Sequence, residues 1–180
     1  MKIYLLSLCL FASLPLYSQQ YQLAESRVSF FSSAPMENIE AISSRAKSLL
    51  NTQTAEIAFV IPIKTFEFEK KLMQEHFNEN YMESHKYPDA TFKGKLSGFN
   101  PQQKGVQKVV ARGQMNIHGV NRNVEAAGTL EYRDKEIYLT AVFPVKVADY
   151  EVEIPSLVFY NIAEEVEVTV KAKYLPYEKK

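Results

Sequence analysis

Between residues 165 and 174 apolar and polar side chains alternate strictly. Val166, Val168, Val170, Ala172 and Tyr174 fall on one parity, and Glu165, Glu167, Thr169, Lys171 and Lys173 on the other. Successive side chains of a strand point to opposite faces, so this segment has one dry face and one wet face. The same period runs through residues 137–147, where Ile137, Leu139, Ala141, Phe143, Val145 and Val147 share a parity. It returns in Ala90, Phe92, Gly94 and Leu96, in Val109, Ala111, Gly113, Met115 and Ile117, and in Val124, Ala126, Gly128, Leu130 and Tyr132. Nearer the start, Val28 and Phe30 alternate with Arg27 and Ser29, and Ile57, Phe59, Ile61 and Ile63 form a more apolar strand. Residues 36–43 and 45–50 are weaker strand candidates. The breaks are short: Asn100-Pro101-Gln102-Gln103-Lys104-Gly105, His118-Gly119-Val120-Asn121 and Arg133-Asp134-Lys135. Breaks this short join antiparallel neighbours, because a parallel pair needs a long crossover.

One stretch follows another period. Over residues 68–82, Leu72, Met73, His76, Phe77, Asn80 and Tyr81 recur at helical spacing, with Lys70, Lys71, Gln74, Glu75, Asn78 and Glu79 between them. This predicts an amphipathic helix of about three turns lying over the strands or across one end of them. Pro88 forces Tyr87 toward an extended conformation and ends any helix there.

The predicted class is all-β, one domain, with one short α-helix near residues 68–82. An up-and-down barrel and a sandwich both fit many short-looped strands with one dry face. The dry sets mix large residues with Ala90, Gly94, Ala111, Gly113, Ala126, Gly128, Ala141 and Ala172, and small residues there favour a barrel that keeps an interior space. The lining expected for such a space is Phe30, Phe59, Ile61, Phe92, Met115, Ile117, Leu139 and Phe143, with Met73, Phe77 and Tyr81 of the helix covering its mouth. For any one of these residues, ordinary core packing is the commoner role.

Length and composition agree with this picture. The 180 residues suit one domain, and 46% hydrophobic content is globular. Basic and acidic residues balance at 21 each, and no strand carries a basic stripe with stacking aromatics, so nucleic acid is not an expected partner. The first residues read as a cleavable leader rather than as fold. Lys2 precedes a nearly uncharged apolar run over residues 3–16, and Ser18 stands before Gln19 and Gln20. The run is shorter than the roughly 20 apolar residues a spanning helix needs. The expectation is a signal peptide over residues 1–18, cleavage near Ser18, a barrel domain over residues 19–180, and a periplasmic or secreted location. Cys9, the only cysteine, lies inside the leader behind Leu6-Ser7-Leu8, which does not suit lipid attachment. The mature chain then has no disulfide, thiol nucleophile or cysteine-based metal site.

Catalytic signatures are missing: there is no Gly-x-Ser-x-Gly, phosphate loop, dinucleotide fingerprint or His-Glu-x-x-His. His76, Glu79, Glu83 and His85 form the one grouping that invites a metal, but a solvated helix face explains the acids and a packing role explains His76. No metal, cofactor or catalytic residue is expected, and His118 stands in a turn with no ligand-spaced partner.

Several motifs are recognisable together. Residues 72–84 lead into Lys86-Tyr87-Pro88-Asp89-Ala90-Thr91-Phe92, a helix ending in Tyr-Pro-x-Ala-x-Phe and entering a strand. With Gly113-Gln114-Met115-Asn116-Ile117-His118-Gly119-Val120, Ser26-Arg27-Val28-Ser29-Phe30, and Ala148-Asp149-Tyr150 through Ile154-Pro155, this chain resembles the YceI-like family over nearly all of its mature length. The resemblance implies a lipocalin-like antiparallel barrel, exported, non-enzymatic, and holding a polyisoprenoid such as a prenyl diphosphate or an isoprenoid quinone. The expected partner is an isoprenoid or other long-chain lipid, carried, stored or sequestered. A homodimer stays open, as does the alternative of a structural or interaction module with a filled core.

Overall fold

The structure is a computed structural model that describes residues 20–33, 38–153 and 163–178. The leader read over residues 1–18, with Cys9, lies outside the described residues, as do Met36, Glu37 and the Ile154-Pro155 part of the family resemblance. In chain order the elements are β1 (Gln20–Ser33), β2 (Asn38–Ser43), β3 (Lys47–Asn51), β4 (Glu56–Pro62), β5 (Glu67–Phe68), α1 (Lys71–His76), β6 (Asp89–Ser97), β7 (Gly105–Ile117), β8 (Val120–Arg133), β9 (Glu136–Lys146) and β10 (Glu165–Pro176).

All pairings are antiparallel, and the sheet closes on itself. β3, β4, β6, β7, β8, β9 and β10 follow in order, and β1 completes an eight-stranded barrel by pairing with β10 on one side and β3 on the other. The β1–β10 seam runs from Tyr21 opposite Pro176 to Phe31 opposite Glu167, with a bulge between Leu23 and Glu25. The sandwich alternative is thereby excluded. Two-residue turns join β7 to β8 and β8 to β9. Ile117 faces Val120 across His118-Gly119, and Arg133 faces Glu136 across Asp134-Lys135. All four turn residues have positive φ, the geometry that matches the twist of a tight hairpin.

β2 and β3 behave as one strand broken at residues 44–46. Both pair with β1 in one register, Val28 opposite Ser43 and Gln22 opposite Leu49. The neighbouring strand breaks at the same level, where Pro62 ends β4 and a 3₁₀ turn (Ile63–Thr65) leads to β5. Side chains tie the two breaks together: the Ser43 and Thr65 hydroxyls lie 2.7 Å apart, and Thr65 Oγ1 donates to the Pro62 carbonyl at 2.6 Å. Beyond the break β2 and β5 form a small flap on β1, and α1 rises from it.

The expected three-turn helix is shorter and irregular. α1 covers Lys71–His76, and Phe77–Tyr81 continue as a π-helical turn in which the Met82 N–H donates to the Phe77 carbonyl at 2.8 Å. Phe68 belongs to β5. The covered line is Met73, Phe77 and Tyr81, to which the wider turn adds Met82 five residues after Phe77, while Leu72 (62% exposed), His76 and Asn80 face out. His76 therefore has no packing role on an apolar face.

One end of the barrel is sealed. Leu50, Leu130, Ile137 and Tyr174 are fully buried there, with Tyr21 beside them. Two hydroxyl pairs satisfy the polar atoms: Ser48 Oγ lies 2.7 Å from Tyr174 Oη, and Tyr21 Oη 3.3 Å from Tyr132 Oη. Burial pushes the Tyr174 hydroxyl pKa well above the ordinary tyrosine range; burial and the Tyr132 hydroxyl do the same to Tyr21.

The inward glycines serve strand contact more than open space. Gly94 stands opposite Gly113. A Cβ on Gly113 would lie 2.3 Å from the Lys93 carbonyl oxygen, and one on Gly94 would meet the Arg112 oxygen at 2.3 Å and the Phe92 ring at 2.7 Å. β6 and β7 thus pinch together where neither has a side chain. Neither glycine lines the interior space, although Gly128, Ala111, Ala126 and Ala141 do.

Two outcomes follow. Gly113→Ala is expected to destabilise the barrel by about 2 kcal/mol through overpacking, read from the urea midpoint. Because the folded barrel resists ionising Tyr174, the unfolded chain loses that proton first as pH rises past about 10, so stability falls above that pH. Tyr174→Phe should flatten part of that alkaline fall while costing about 1–3 kcal/mol at neutral pH, since Ser48 loses its partner; denaturation curves across the pH range measure both.

Candidate functional site: an uncharged cavity under an aromatic cap

Burial along each strand changes from one end of the barrel to the other. On β9, Ile137 and Leu139 are buried, whereas Ala141, Phe143 and Val145 are half-buried although they share the inward parity. β10 repeats this, with Tyr174, Ala172 and Val170 buried and Val168 and Val166 half-buried. Inward residues become accessible toward the far end because they face space instead of other side chains.

That space is a cavity of about 250 Å³. Its lower wall is Val28, Ile57, Leu96, Val109, Ala126, Leu139 and Val170. Its upper wall is Ile39, Ile63, Ala111, Phe143, Val145, Val147, Val152, Val166 and Val168. No charged side chain lines it among the described residues. The structure places Phe30, Phe59, Ile61, Met73, Phe77, Tyr81, Phe92, Met115, Ile117, Leu139 and Phe143 on this one surface. A filled core does not describe this interior.

The cap is built on phenylalanine. Phe77 stacks on Phe30 with ring centroids 5.4 Å apart, and lies 5.0 Å from Phe68 and 5.8 Å from Phe66. Phe30 in turn touches Phe66 and Phe68 at 5.5 and 5.8 Å. These contacts hold α1 against β1 and β5, since offset and edge-on aromatic pairs add to area burial. The helix has little else to hold it: it is six residues long and its first turn has no side-chain cap. The Phe68 N–H donates to Gln74 Oε1 at 3.3 Å, and Asn78 Nδ2 donates to the Gln74 carbonyl at 2.8 Å. Asn78 Oδ1 is buried without a hydrogen-bond partner. Phe66 and Phe68 were missed in the sequence because they fall where the helical spacing begins. Their alternation with Glu67 is the signal that could have found them.

At the rim two tyrosines reach the cavity. Burial raises the pKa of both hydroxyls; for Tyr150 nearby Asp149 adds to the rise and Arg122 opposes it. Behind Tyr150 is a polar node that sequence reasoning passed over. His118, whose side chain is 10% exposed, lies with Nδ1 3.2 Å from the Tyr150 carbonyl oxygen and Nε2 3.1 Å from Glu83 Oε2. The Tyr87 ring meets the imidazole edge-on at 4.5 Å. Gly119 lets Tyr87 approach: a Cβ there would lie 2.5 Å from the ring. Glu83 and His118 were both visible as polar residues, but 35 positions separate them and no local spacing connects them. No three of His, Cys, Asp and Glu come together as a metal site among the described residues; Glu83 turns to His118 and Lys86.

Known proteins place this geometry. The YceI-like domain pattern matches residues 20–174. In fold the chain is similar to a polyisoprenoid binding domain from Saccharophagus degradans, at 17% identity and TM-score 0.75 over 89% of this chain and 99% of that one. It is also similar to BcnA of Burkholderia cenocepacia, at 17% identity and TM-score 0.71 over 82% of this chain and 95% of that one. The YCEI protein of Campylobacter jejuni matches at 15% identity and TM-score 0.57, with 100% of both chains covered. No curated protein matches the chain.

Phe77→Ala removes the hub of the cap. It is expected to cost about 2 kcal/mol, less than a fully buried phenylalanine would. Amide exchange over residues 71–84 should accelerate at least about tenfold while β8 and β9 near the sealed end stay protected.

Proposed function

Because the chain belongs to the YceI-like domain family, we propose that it is an exported lipid-binding protein that takes a long apolar chain into the barrel. The single observation that carries this reading is the uncharged cavity, sealed at one end and roofed by the phenylalanine cap at the other. A cavity walled almost wholly by apolar atoms stays poorly hydrated, so an apolar chain displaces little ordered water and gains contact on all sides. Burying a five-carbon prenyl unit contributes up to about 4 kcal/mol. Association itself costs at least about that much, so two or more units are needed before binding is strong. A long isoprenoid or acyl chain fits this arithmetic and a small apolar solute does not.

The cations beside Tyr150 and Glu83 favour an uncharged head there. A phosphate or diphosphate is held by unengaged arginine or lysine donors. Here Lys86 lies 3.9 Å from Glu83, and Arg122 donates to the Asp149 carbonyl at 2.8 Å. Asp149, Glu83 and Glu151 stand at the same end. The Tyr81 and Tyr150 hydroxyls, uncharged at neutral pH, suit a carbonyl or hydroxyl oxygen instead. The leader-like residues before Gln19 support export to the periplasm or beyond, and the lack of charged groups in the cavity supports carriage, storage or sequestration over catalysis.

Mass spectrometry of organic extracts from protein purified out of its native envelope is expected to show a long-chain lipid. Geranylgeraniol should displace the uncharged dye N-phenyl-1-naphthylamine at least as well as geranylgeranyl diphosphate does. An empty extract with no dye binding would overturn the reading. Ala111→Leu combined with Ala141→Leu fills the cavity, and should weaken dye binding at least about tenfold without lowering the melting temperature.

A further inference from the structure

The His118 node joins three segments that frame the mouth. His118 is on the β7–β8 turn, Tyr150 ends the 3₁₀ turn (Val147–Tyr150) after β9, and Glu83 directly follows the cap through Met82. Tyr150 and Met82 line the cavity themselves. Each segment has a residue held at positive φ beside the node: 52° at His118, 40° at Glu83 and 54° at Glu151. Non-glycine residues keep such conformations where surrounding contacts impose them.

Both ring nitrogens point at acceptors. The Tyr150 carbonyl accepts only, and an ionised Glu83 carboxylate accepts only. The two contacts are therefore satisfied together only when Nδ1 and Nε2 both carry hydrogen. A neutral ring has one hydrogen, and whichever nitrogen keeps it, the other presents a lone pair to an oxygen at 3.1 or 3.2 Å. The other charged or titratable groups around the ring are Tyr87 against its face, Lys86 beside Glu83 and over the Tyr87 ring, Asp149 and Arg122 next to Tyr150, and the Tyr150 hydroxyl. Of these, Lys86 also faces the Glu83 carboxylate, but at 3.9 Å it is beyond hydrogen-bond distance and does not take the place of the ring.

We propose that His118 is a proton-operated latch on the mouth of the barrel, closed when the imidazole is doubly protonated and bridging Glu83 to Tyr150, and loosened when it loses a proton. The proposal rests on the cavity being loaded and emptied through this mouth. The sign follows from the bridge. Two ring hydrogens tie the cap to the β7–β8 turn, and loss of either one breaks one of the two contacts and frees the cap to swing on its phenylalanine hub.

Release of N-phenyl-1-naphthylamine into excess phosphatidylcholine vesicles, followed by stopped flow at about pH 5.5 and about pH 8, tests this. The rate should rise about tenfold at the higher pH, the effect of losing one charge-assisted hydrogen bond. Glu83→Gln offers an amide N–H to a neutral ring, so it should release slowly at both pH values. His118→Asn suits the positive-φ turn, where Asn-Gly is favoured, and should release fast at both. Nitrogen NMR of the imidazole should show both nitrogens protonated in the slow state of the parent protein. Equal release rates in the parent protein, or an unchanged pH response in Glu83→Gln, overturn the latch. If the dye does not bind at all, the lipid reading fails. The latch is then judged by exchange of the Ser84 amide, which donates to the Asn78 carbonyl at 2.8 Å. That exchange must quicken with pH beyond the intrinsic rate in the parent and not in Glu83→Gln.

Discussion

The seam between β1 and β10 is the contact on which the rest depends. It joins the first described strand to the last, and without it the sheet would be an open ribbon with two free edges. Closure makes the dry parity of each strand an inside rather than a face, so inward side chains are enclosed whether or not they touch. Strand edges that would otherwise invite other chains are used up by the same step. The cost is the entropy of bringing two distant segments together, which topologies dominated by non-local pairs incur before any contact rewards it.

Inside the closed sheet, packing varies along the axis. At the sealed end Leu50, Leu130, Ile137 and Tyr174 fill the cross-section, and the Ser48–Tyr174 pair satisfies the polar atoms that large aromatic plugs bring with them. Toward the mouth, Ala111, Ala126, Ala141 and a run of valines leave the centre unfilled. Rigidity at one end and space at the other come from one strand set, through side-chain volume alone.

The mouth is made by departures from regular strands. The break shared by β2–β3 and β4–β5, pinned through Ser43 and Thr65, turns the chain outward and carries α1 over the opening. Phe77 then fastens the cap to Phe30, Phe66 and Phe68, and the π-helical turn brings Tyr81 and Met82 round to the cavity. The result is a stable wall with an end that excludes water but is held by few contacts. The low sequence identity to BcnA and the Saccharophagus degradans domain, 17% in each case, beside a well-matched fold, fits a wall defined by pattern rather than by residue identity.

The sequence by itself determined the strands, their antiparallel order and which side of each is dry, because a period of two is a local property that any reader of the chain can count. Met73, Phe77 and Tyr81 were legible on the helix for the same reason. Other features depend on what stands opposite. Gly94 and Gly113 look like makers of space until their pairing shows two strands pinched together. Leu72 looks inward until the helix is seen to rest on the line of Met73, Phe77 and Tyr81. The distinction between the filled end and the open end cannot be counted along a strand, since it depends on the summed volume of eight strands at one level. His118 and Glu83 became partners only when the barrel closed and the cap came down beside the turn. Local periodicity assigned each residue a side, and tertiary structure decided whether that side met another side chain, a backbone or a space.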